Sequence, residues 1–195
     1  MYAFLIIFFV VSQNFSVFAK DGKEGKSFNS DNNTDIPKQN DQFQWNQHNK
    51  LSWDDFRGTS KDAAEESAAA THCGIGFRLN TNKQGDKTEI IVYNTFYANK
   101  SWVKPDGKIS SVLDHEQGHF DLCEIYTRKL RDRMNNVYTQ VPDIMKTLMS
   151  VYSEISNEYE SRQQAYEQET THGTNISEQR KWKDMMAKEL SGTNS

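Results

Sequence analysis

The chain has 195 residues, which is enough for one catalytic domain with a tail but hardly for two full domains. Its net charge of −4, without a basic stripe that could neutralise phosphates, argues against nucleic-acid binding. Only 35% of the residues are hydrophobic, but 12% are aromatic. Aromatic side chains bury a large area each, so one core can still form.

The N-terminus predicts export. The first 19 residues carry no charge, and the apolar run from Tyr2 to Val11 has the length of a signal-peptide core. This run is too short to span a bilayer. Val17-Phe18-Ala19 offers small residues at the two positions that a signal peptidase reads, although no Lys or Arg precedes the run, and a buried N-terminal strand is the alternative. We expect cleavage after Ala19 and a secreted or periplasmic protein without a stable membrane anchor.

Residues 20–49 are rich in Asp, Asn, Gln, Lys and Gly and nearly free of aliphatic side chains. Such a segment buries too little apolar surface to offset its ordering entropy and is typical of a disordered spacer. The folded domain is therefore expected over residues 50–192.

Strand signals fill the first half of that domain. Alternating apolar residues over 75–79, a turn-forming segment over 80–86 and a stretch rich in β-branched and aromatic residues over 88–97 predict a hairpin. We also expect a strand over residues 94–103, directly before the helical half.

Helical signals fill the second half. Ser111–Asp114 resembles a capping box and predicts a first helix over residues 112–134. Pro142 suits the first turn of a second helix, which should end near Thr171. Asn175–Glu178 is a capping box for a third helix, whose apolar stripe consists of Trp182, Met186 and Leu190. The predicted fold class is α+β, a small antiparallel sheet followed by a zincin-like helix and two further helices.

The first helix contains His115-Glu116-Gln117-Gly118-His119, an H-E-x-x-H motif. The i, i+4 spacing stacks both imidazoles on one helix face, where two ring nitrogens can reach one Zn²⁺ ion. Glu116 lies beside the metal without being a ligand and can act as general base toward a water that the metal activates. Two exposed helix histidines are the alternative. Gly118 weakens that alternative, because glycine costs a helix interior about 1 kcal/mol and indicates the close approach of another chain segment.

A catalytic zinc needs a third protein ligand, and the acidic residues that follow on the same helix point off the histidine face. We favour His172 at the end of the second helix, where Gly173 lets the backbone turn the imidazole inward. Glu169 is the alternative ligand, and otherwise Glu169 and Thr170 would hydrogen-bond the ligand imidazoles. A histidine that only interacts with the helix dipole is the other interpretation of His172.

Two roles are open. Tyr166 could donate a hydrogen bond to an oxyanion, or it could be a buried core residue. The strand before the metal helix could pair with an extended substrate, by analogy with other zinc peptidases.

The two cysteines of the chain, Cys73 and Cys123, should face one another, because Cys123 lies one turn after His119 on a helix face that packs near the sheet. One disulfide and two buried thiols are equally weighted alternatives.

Three segments in this order resemble the bacterial family known as domain of unknown function 922. They are Leu51-Ser52-Trp53-Asp54-Asp55-Phe56-Arg57-Gly58, the stretch from Leu113 to Asp121 running into Tyr126–Arg131, and Tyr166 with Glu169-Thr170, His172-Gly173, Gln179 and Trp182. The resemblance covers residues 50–190 and implies a secreted zinc-dependent protease. It also implies that the Tyr/Glu/Thr/His cluster is important, but it supplies no substrate.

The expected function is that of a secreted zinc metallopeptidase acting on protein or peptide substrates. A catalytically weak, zinc-stabilised binding protein of the envelope and a zinc amidase acting on cell-wall crosslinks are the alternatives. The sequence indicates neither the cleavage preference nor the oligomeric state.

Overall fold

A computed structural model describes residues 41–65, 67–81, 88–137 and 143–192. The predicted signal peptide, residues 20–40 of the predicted spacer and Pro142 lie outside the described residues. The described part has the predicted α+β architecture, with short antiparallel sheets in its first half and three helices in its second half.

The strands are β1 (Gln42–Phe43), β2 (Ala69–Ala70), β3 (Cys73–Thr81), β4 (Thr88–Tyr97) and β5 (Trp102–Val103). A three-stranded antiparallel sheet has the order β1–β4–β3, and β2 pairs with β5 in a separate ribbon. The two strands of the predicted hairpin are confirmed as β3 and β4, while residues 82–86 of its predicted turn lie outside the described residues. The strand predicted over residues 94–103 is wrong, because the chain turns after Tyr97, whose carbonyl accepts hydrogen bonds from the N–H groups of Lys100 and Ser101.

Residues 41–49 belong to the fold rather than to a disordered spacer. β1 pairs with β4, and Phe43 stacks on Phe96 with ring centroids 4.9 Å apart. The indole N–H of Trp45 donates to Oδ1 of Asp121 at 2.6 Å. Two aromatic side chains thus fix a segment whose remaining residues are polar, because each aromatic ring buries a large apolar area.

The helices are α1 (Ser110–Asn135), α2 (Ile144–Thr170) and α3 (Ile176–Ser191). The predicted cap of α3 is confirmed, since the side chain of Asn175 accepts a hydrogen bond from the N–H of Glu178. The predicted cap at Ser111 is wrong: the N-cap of α1 is Ile109, and Ser111 already lies inside the helix.

Helix α1 lies between the sheet and the other two helices. It runs antiparallel to α2, as the ion pair of Lys129 with Glu158 and the contacts of His119 with the C-terminal half of α2 require. It runs in the same direction as α3, because Asp114 pairs with Lys183 and, further along both helices, Arg128 donates to the Leu190 carbonyl. This arrangement buries the H-E-x-x-H turn of α1. The core is formed by side chains from all three layers: Phe96, Phe120, Leu122, Leu130, Met134, Leu148, Ile155, Tyr159, Trp182 and Met186.

Candidate metal centre

His115 and His119 project from one face of α1, as the i, i+4 spacing predicts. Both side chains are buried, and their Nε2 atoms lie 3.2 Å apart. The rings meet edge to face with centroids 4.7 Å apart. The two nitrogens therefore point to a common position.

Helix α2 contributes a third group to this position, Glu167. Its Oε1 lies 3.0 Å from Nε2 of His119, and its Oε2 lies 3.5 Å from Nε2 of His115. Within the part of the chain that the structure describes, these three residues are the one group of His, Cys, Asp and Glu side chains close enough to share a metal ion. Two histidines and one glutamate form a donor set known from catalytic zinc sites.

The hydrogen bonds of Gln163 fix the tautomer of His119. The amide nitrogen of Gln163 donates to the backbone carbonyl of His119 at 3.0 Å and to the hydroxyl of Tyr159 at 2.8 Å. A carbonyl can only accept, so the other end of the amide is its oxygen, 2.6 Å from Nδ1 of His119. Nδ1 must carry the hydrogen, so in the neutral imidazole the lone pair is on Nε2, the atom that faces Glu167.

A second network fixes His115 in the same way. The Tyr166 hydroxyl donates to the backbone carbonyl of His115 at 3.1 Å, so it accepts from the amide nitrogen of Gln179 at 2.6 Å. The amide oxygen of Gln179 then faces Nδ1 of His115 at 3.1 Å and requires a hydrogen there. Hydrogen bonds of this kind orient the histidine ligands of metal sites and raise their basicity.

With both imidazoles neutral, two nitrogen lone pairs and one carboxylate would converge without a hydrogen between them, an arrangement that needs a cation. Burial opposes the charged form of His119, but the carboxylate of Glu167, helped by that of Glu116, raises the pKa of His119 to about 9. Burial also opposes the charged form of Glu167, yet the imidazoles of His119 and His115 hold the pKa of its carboxyl well below the usual range. The metal-free site therefore takes up a proton, and a divalent metal ion fits the same donors.

Glu116 is buried next to His115 in α1, and its Oε2 has no hydrogen-bond partner among the described residues. Leaving such a group unpaired costs about 1–3 kcal/mol, and more for a charged one. Its charge nevertheless acts on the site, because it contributes to the raised pKa of His119. An unpaired carboxylate oxygen beside a candidate metal position is what a general base requires.

His172, the favoured third ligand, does not converge on the histidine nitrogens. Its Nδ1 lies 2.7 Å from Oε2 of Glu167, and its backbone N–H donates to the Glu167 carbonyl at 2.9 Å. The prediction of His172 as a ligand is corrected accordingly: its imidazole contacts the carboxylate of Glu167 and is not in the group of His115, His119 and Glu167. The hydrogen bond from His172 instead orients the carboxylate of Glu167.

Glu169 and Thr170 also have other roles than those predicted. The carboxylate of Glu169 accepts a hydrogen bond from the indole of Trp182 at 2.8 Å, so it is neither a ligand nor a partner of the imidazoles. The Thr170 hydroxyl donates to the Tyr166 carbonyl at 2.6 Å and accepts from the N–H of Gly173 at 3.2 Å. Both residues stabilise the end of α2.

Tyr166 is wholly buried and stacks on His115, with ring centroids 4.8 Å apart at 18°. Its hydroxyl is occupied by the His115 carbonyl and Gln179, so the predicted role of oxyanion donor does not match its position. Burial above all raises the pKa of this hydroxyl and keeps it protonated. The alternative of a buried tyrosine is the one that the structure supports.

Two glycines allow this packing. A Cβ on Gly118 would overlap the Tyr166 hydroxyl and lie 2.6 Å from its Cζ, which confirms the predicted close approach at Gly118. Gly173 has φ +77°, and a Cβ there would lie 2.8 Å from Cγ of His115. The turn after α2 therefore closes directly over the imidazole of His115.

Solvent reaches the site from the C-terminal end of α2. The exposed fraction of the side chains rises from 1% for His119 and 7% for His115 to 14% for Glu167 and 36% for His172. The site is therefore most open to solvent beside Glu167 and His172.

Cys73 and Cys123 are both thiols in the structure, and the side chain of Cys123 lowers the pKa of the Cys73 thiol. The Sγ atom of Cys73 lies 3.4 Å from the Tyr159 hydroxyl, which in turn accepts from Gln163.

The sequence-based interpretation missed Glu167, Gln163 and the hydrogen-bonding role of Gln179. A signal was present, because Tyr159, Gln163 and Glu167 follow one another at four-residue intervals and share one helix face. Glu169 is rotated from Glu167 by about 200° around the helix.

Comparison with known proteins gives a family. No curated protein and no solved structure matches the chain significantly. The profile of one family, described as bacterial protein of unknown function (DUF922), matches residues 21–173. The match spans the sheet, the H-E-x-x-H helix and all of α2, including Glu167 and His172. The chain therefore belongs to the bacterial DUF922 family.

Proposed function

We propose that the protein is a zinc-dependent peptidase with His115, His119 and Glu167 as metal ligands. The observation that carries the proposal is the convergence of two tautomer-fixed Nε2 atoms and one carboxylate beside the unpaired, buried carboxylate oxygen of Glu116. A zinc ion held there would polarise the scissile carbonyl and lower the pKa of the attacking water.

The residues of the chain supply the rest of the chemistry. Glu116 takes the proton of the attacking water on its unpaired oxygen and later delivers it to the leaving amine. Gln163 and Gln179 keep the histidine rings in the tautomer that exposes Nε2. His172 holds Glu167 in the orientation that directs Oε1 toward His119.

We further propose that the protein acts outside the cytoplasm, on protein or peptide substrates, as the uncharged apolar N-terminus suggests. Although α1 and α2 are long, no helix among the described residues combines such length with the apolarity that a membrane span needs.

The test compares the zinc-loaded protein with its Glu116→Gln variant on a peptide library and on peptidoglycan. Glutamine keeps the shape of the side chain but removes the base, so zinc should stay bound while peptide hydrolysis falls at least about a hundredfold. Undiminished hydrolysis by the variant would exclude Glu116 as the base. Cleavage of peptidoglycan crosslinks alone would make the enzyme an amidase, and zinc binding without any hydrolysis would indicate a structural metal.

A further inference from the structure

A pair of thiols lies behind the candidate metal centre, where α1 packs against the sheet. Cys73 is the first residue of β3, and Cys123 lies in α1 one turn after His119. Of the groups around Cys73, the side chain of Cys123 lowers the pKa of its thiol most. This pair is not used by the proposed peptidase chemistry.

A second contact defines how close the two cysteines are. The Sγ atom of Cys73 lies 3.7 Å from the backbone oxygen of His119. In an α-helix that oxygen is the acceptor for the N–H of residue i+4, which here is Cys123. Cys73 therefore contacts the same turn of α1 from which the side chain of Cys123 projects.

Both cysteines lie in regular secondary structure, one in a strand and one in a helix. Cys73 pairs with Phe96 in the β3–β4 ladder, and Cys123 is fully buried within α1. The Cys73 thiol is thus placed against the turn of α1 that carries Cys123, and a disulfide requires two such neighbouring side chains. Cys73 is the more exposed of the two, so an external reagent reaches it first.

The pair is not a metal site. Within the described ranges, the one group of three or more potential metal ligands is that of His115, His119 and Glu167. Two thiols without a third ligand favour covalent pairing over metal binding.

We propose that Cys73 and Cys123 form a disulfide that joins β3 to the metal-bearing turn of α1, with a small-molecule disulfide as the oxidant. The thiolate of Cys73 attacks one sulfur of the oxidant, forms a mixed disulfide and releases one thiol. Cys123 then attacks the Cys73 sulfur and releases the second thiol. The protein loses two electrons and two protons, and the oxidant is reduced to two thiols.

The bond would close a loop of about 50 residues that contains β4, β5 and the first half of α1. By the chain-entropy relation, a loop of that length shifts the unfolding equilibrium toward the folded state by roughly a thousandfold. Because Cys73 also contacts the His119 carbonyl, the bond would link the sheet directly to the turn of α1 that contains His119.

The experiment treats the purified full-length protein with oxidised glutathione, denatures it without reductant, alkylates free thiols and measures the intact mass. We expect no alkylation, one crosslinked peptide pair containing Cys73 and Cys123 after digestion, and a higher urea midpoint than for the reduced protein. The Cys73→Ser variant is the control and should gain neither the crosslink nor the higher midpoint. Two alkylated thiols in the oxidised wild type, or stable glutathione adducts in place of the crosslink, would overturn the proposal.

Discussion

The carboxylate of Glu167 and the imidazole of His119 lie 3.0 Å apart across the interface of α1 and α2. This contact joins two helices that are connected by residues 136–143, and it completes a donor set that α1 alone does not provide. Gln163, one turn before Glu167, holds the opposite nitrogen of the same imidazole. One face of α2 thus both orients a histidine and places a carboxylate beside it.

The position of His172 predicts an intermediate effect on metal binding. Replacing His172 by asparagine removes the hydrogen bond to Oε2 of Glu167 but no metal ligand. Asparagine also tolerates the left-handed backbone at φ 54°. Zinc affinity, measured by competition with a chromogenic chelator, should fall about 10–100-fold. A loss as complete as that of His115→Ala would mean that His172 is itself a ligand.

Gly118 predicts a stability effect that does not depend on metal. A methyl group at Gly118 would overlap the Tyr166 hydroxyl, so Gly118→Ala should destabilise the metal-free protein by roughly 1–3 kcal/mol. This cost outweighs the gain of about 1 kcal/mol in helix propensity. Gly74→Ala is the control, since its methyl would come no closer than 3.9 Å to the Tyr97 ring. Urea unfolding measures both, and a stabilised Gly118→Ala variant would contradict the observed packing.

The raised pKa of His119 predicts how the metal-free protein responds to pH. The folded-state pKa of about 9 exceeds the ordinary value of 6.5, so protonation of His119 stabilises the fold below pH 6.5. That contribution is lost as the pH rises toward and through 9. The free energy of unfolding should therefore fall between pH 6.5 and 9 more steeply for the wild type than for His119→Gln. Parallel pH profiles of the two proteins would show that His119 is not the group responsible.

The same proton must leave when zinc binds. At pH 8, below the raised pKa of His119, zinc uptake should release about one proton from this site.

The H-E-x-x-H half of the site could be predicted from the sequence, because the i, i+4 spacing places His115 and His119 on one face of any α-helix. The third ligand could not be assigned in the same way, since it depends on which face of α2 meets α1. The prediction of His172 as the third ligand is based on its residue type and on its position at the end of the second helix. The structure shows that helical phase, shared by Tyr159, Gln163 and Glu167, decides the contact.

The helices and the β3–β4 hairpin followed from long periodic patterns. The two-residue strand β1 did not, because two residues carry no measurable period and the surrounding composition is polar. The strand is held in place by Phe43 and Trp45. Their partners, Phe96 and Asp121, lie more than fifty residues further along the chain.

The zinc content of two neighbouring glutamine variants tests the central claim most directly. Glu167→Gln removes the proposed ligand, whereas Glu169→Gln removes a carboxylate two residues away that contacts Trp182. After dialysis against a weak chelator, the wild type and Glu169→Gln should each retain about one zinc per chain, and Glu167→Gln should retain almost none. Full retention of zinc by Glu167→Gln would contradict the assignment of His115, His119 and Glu167 as the metal site.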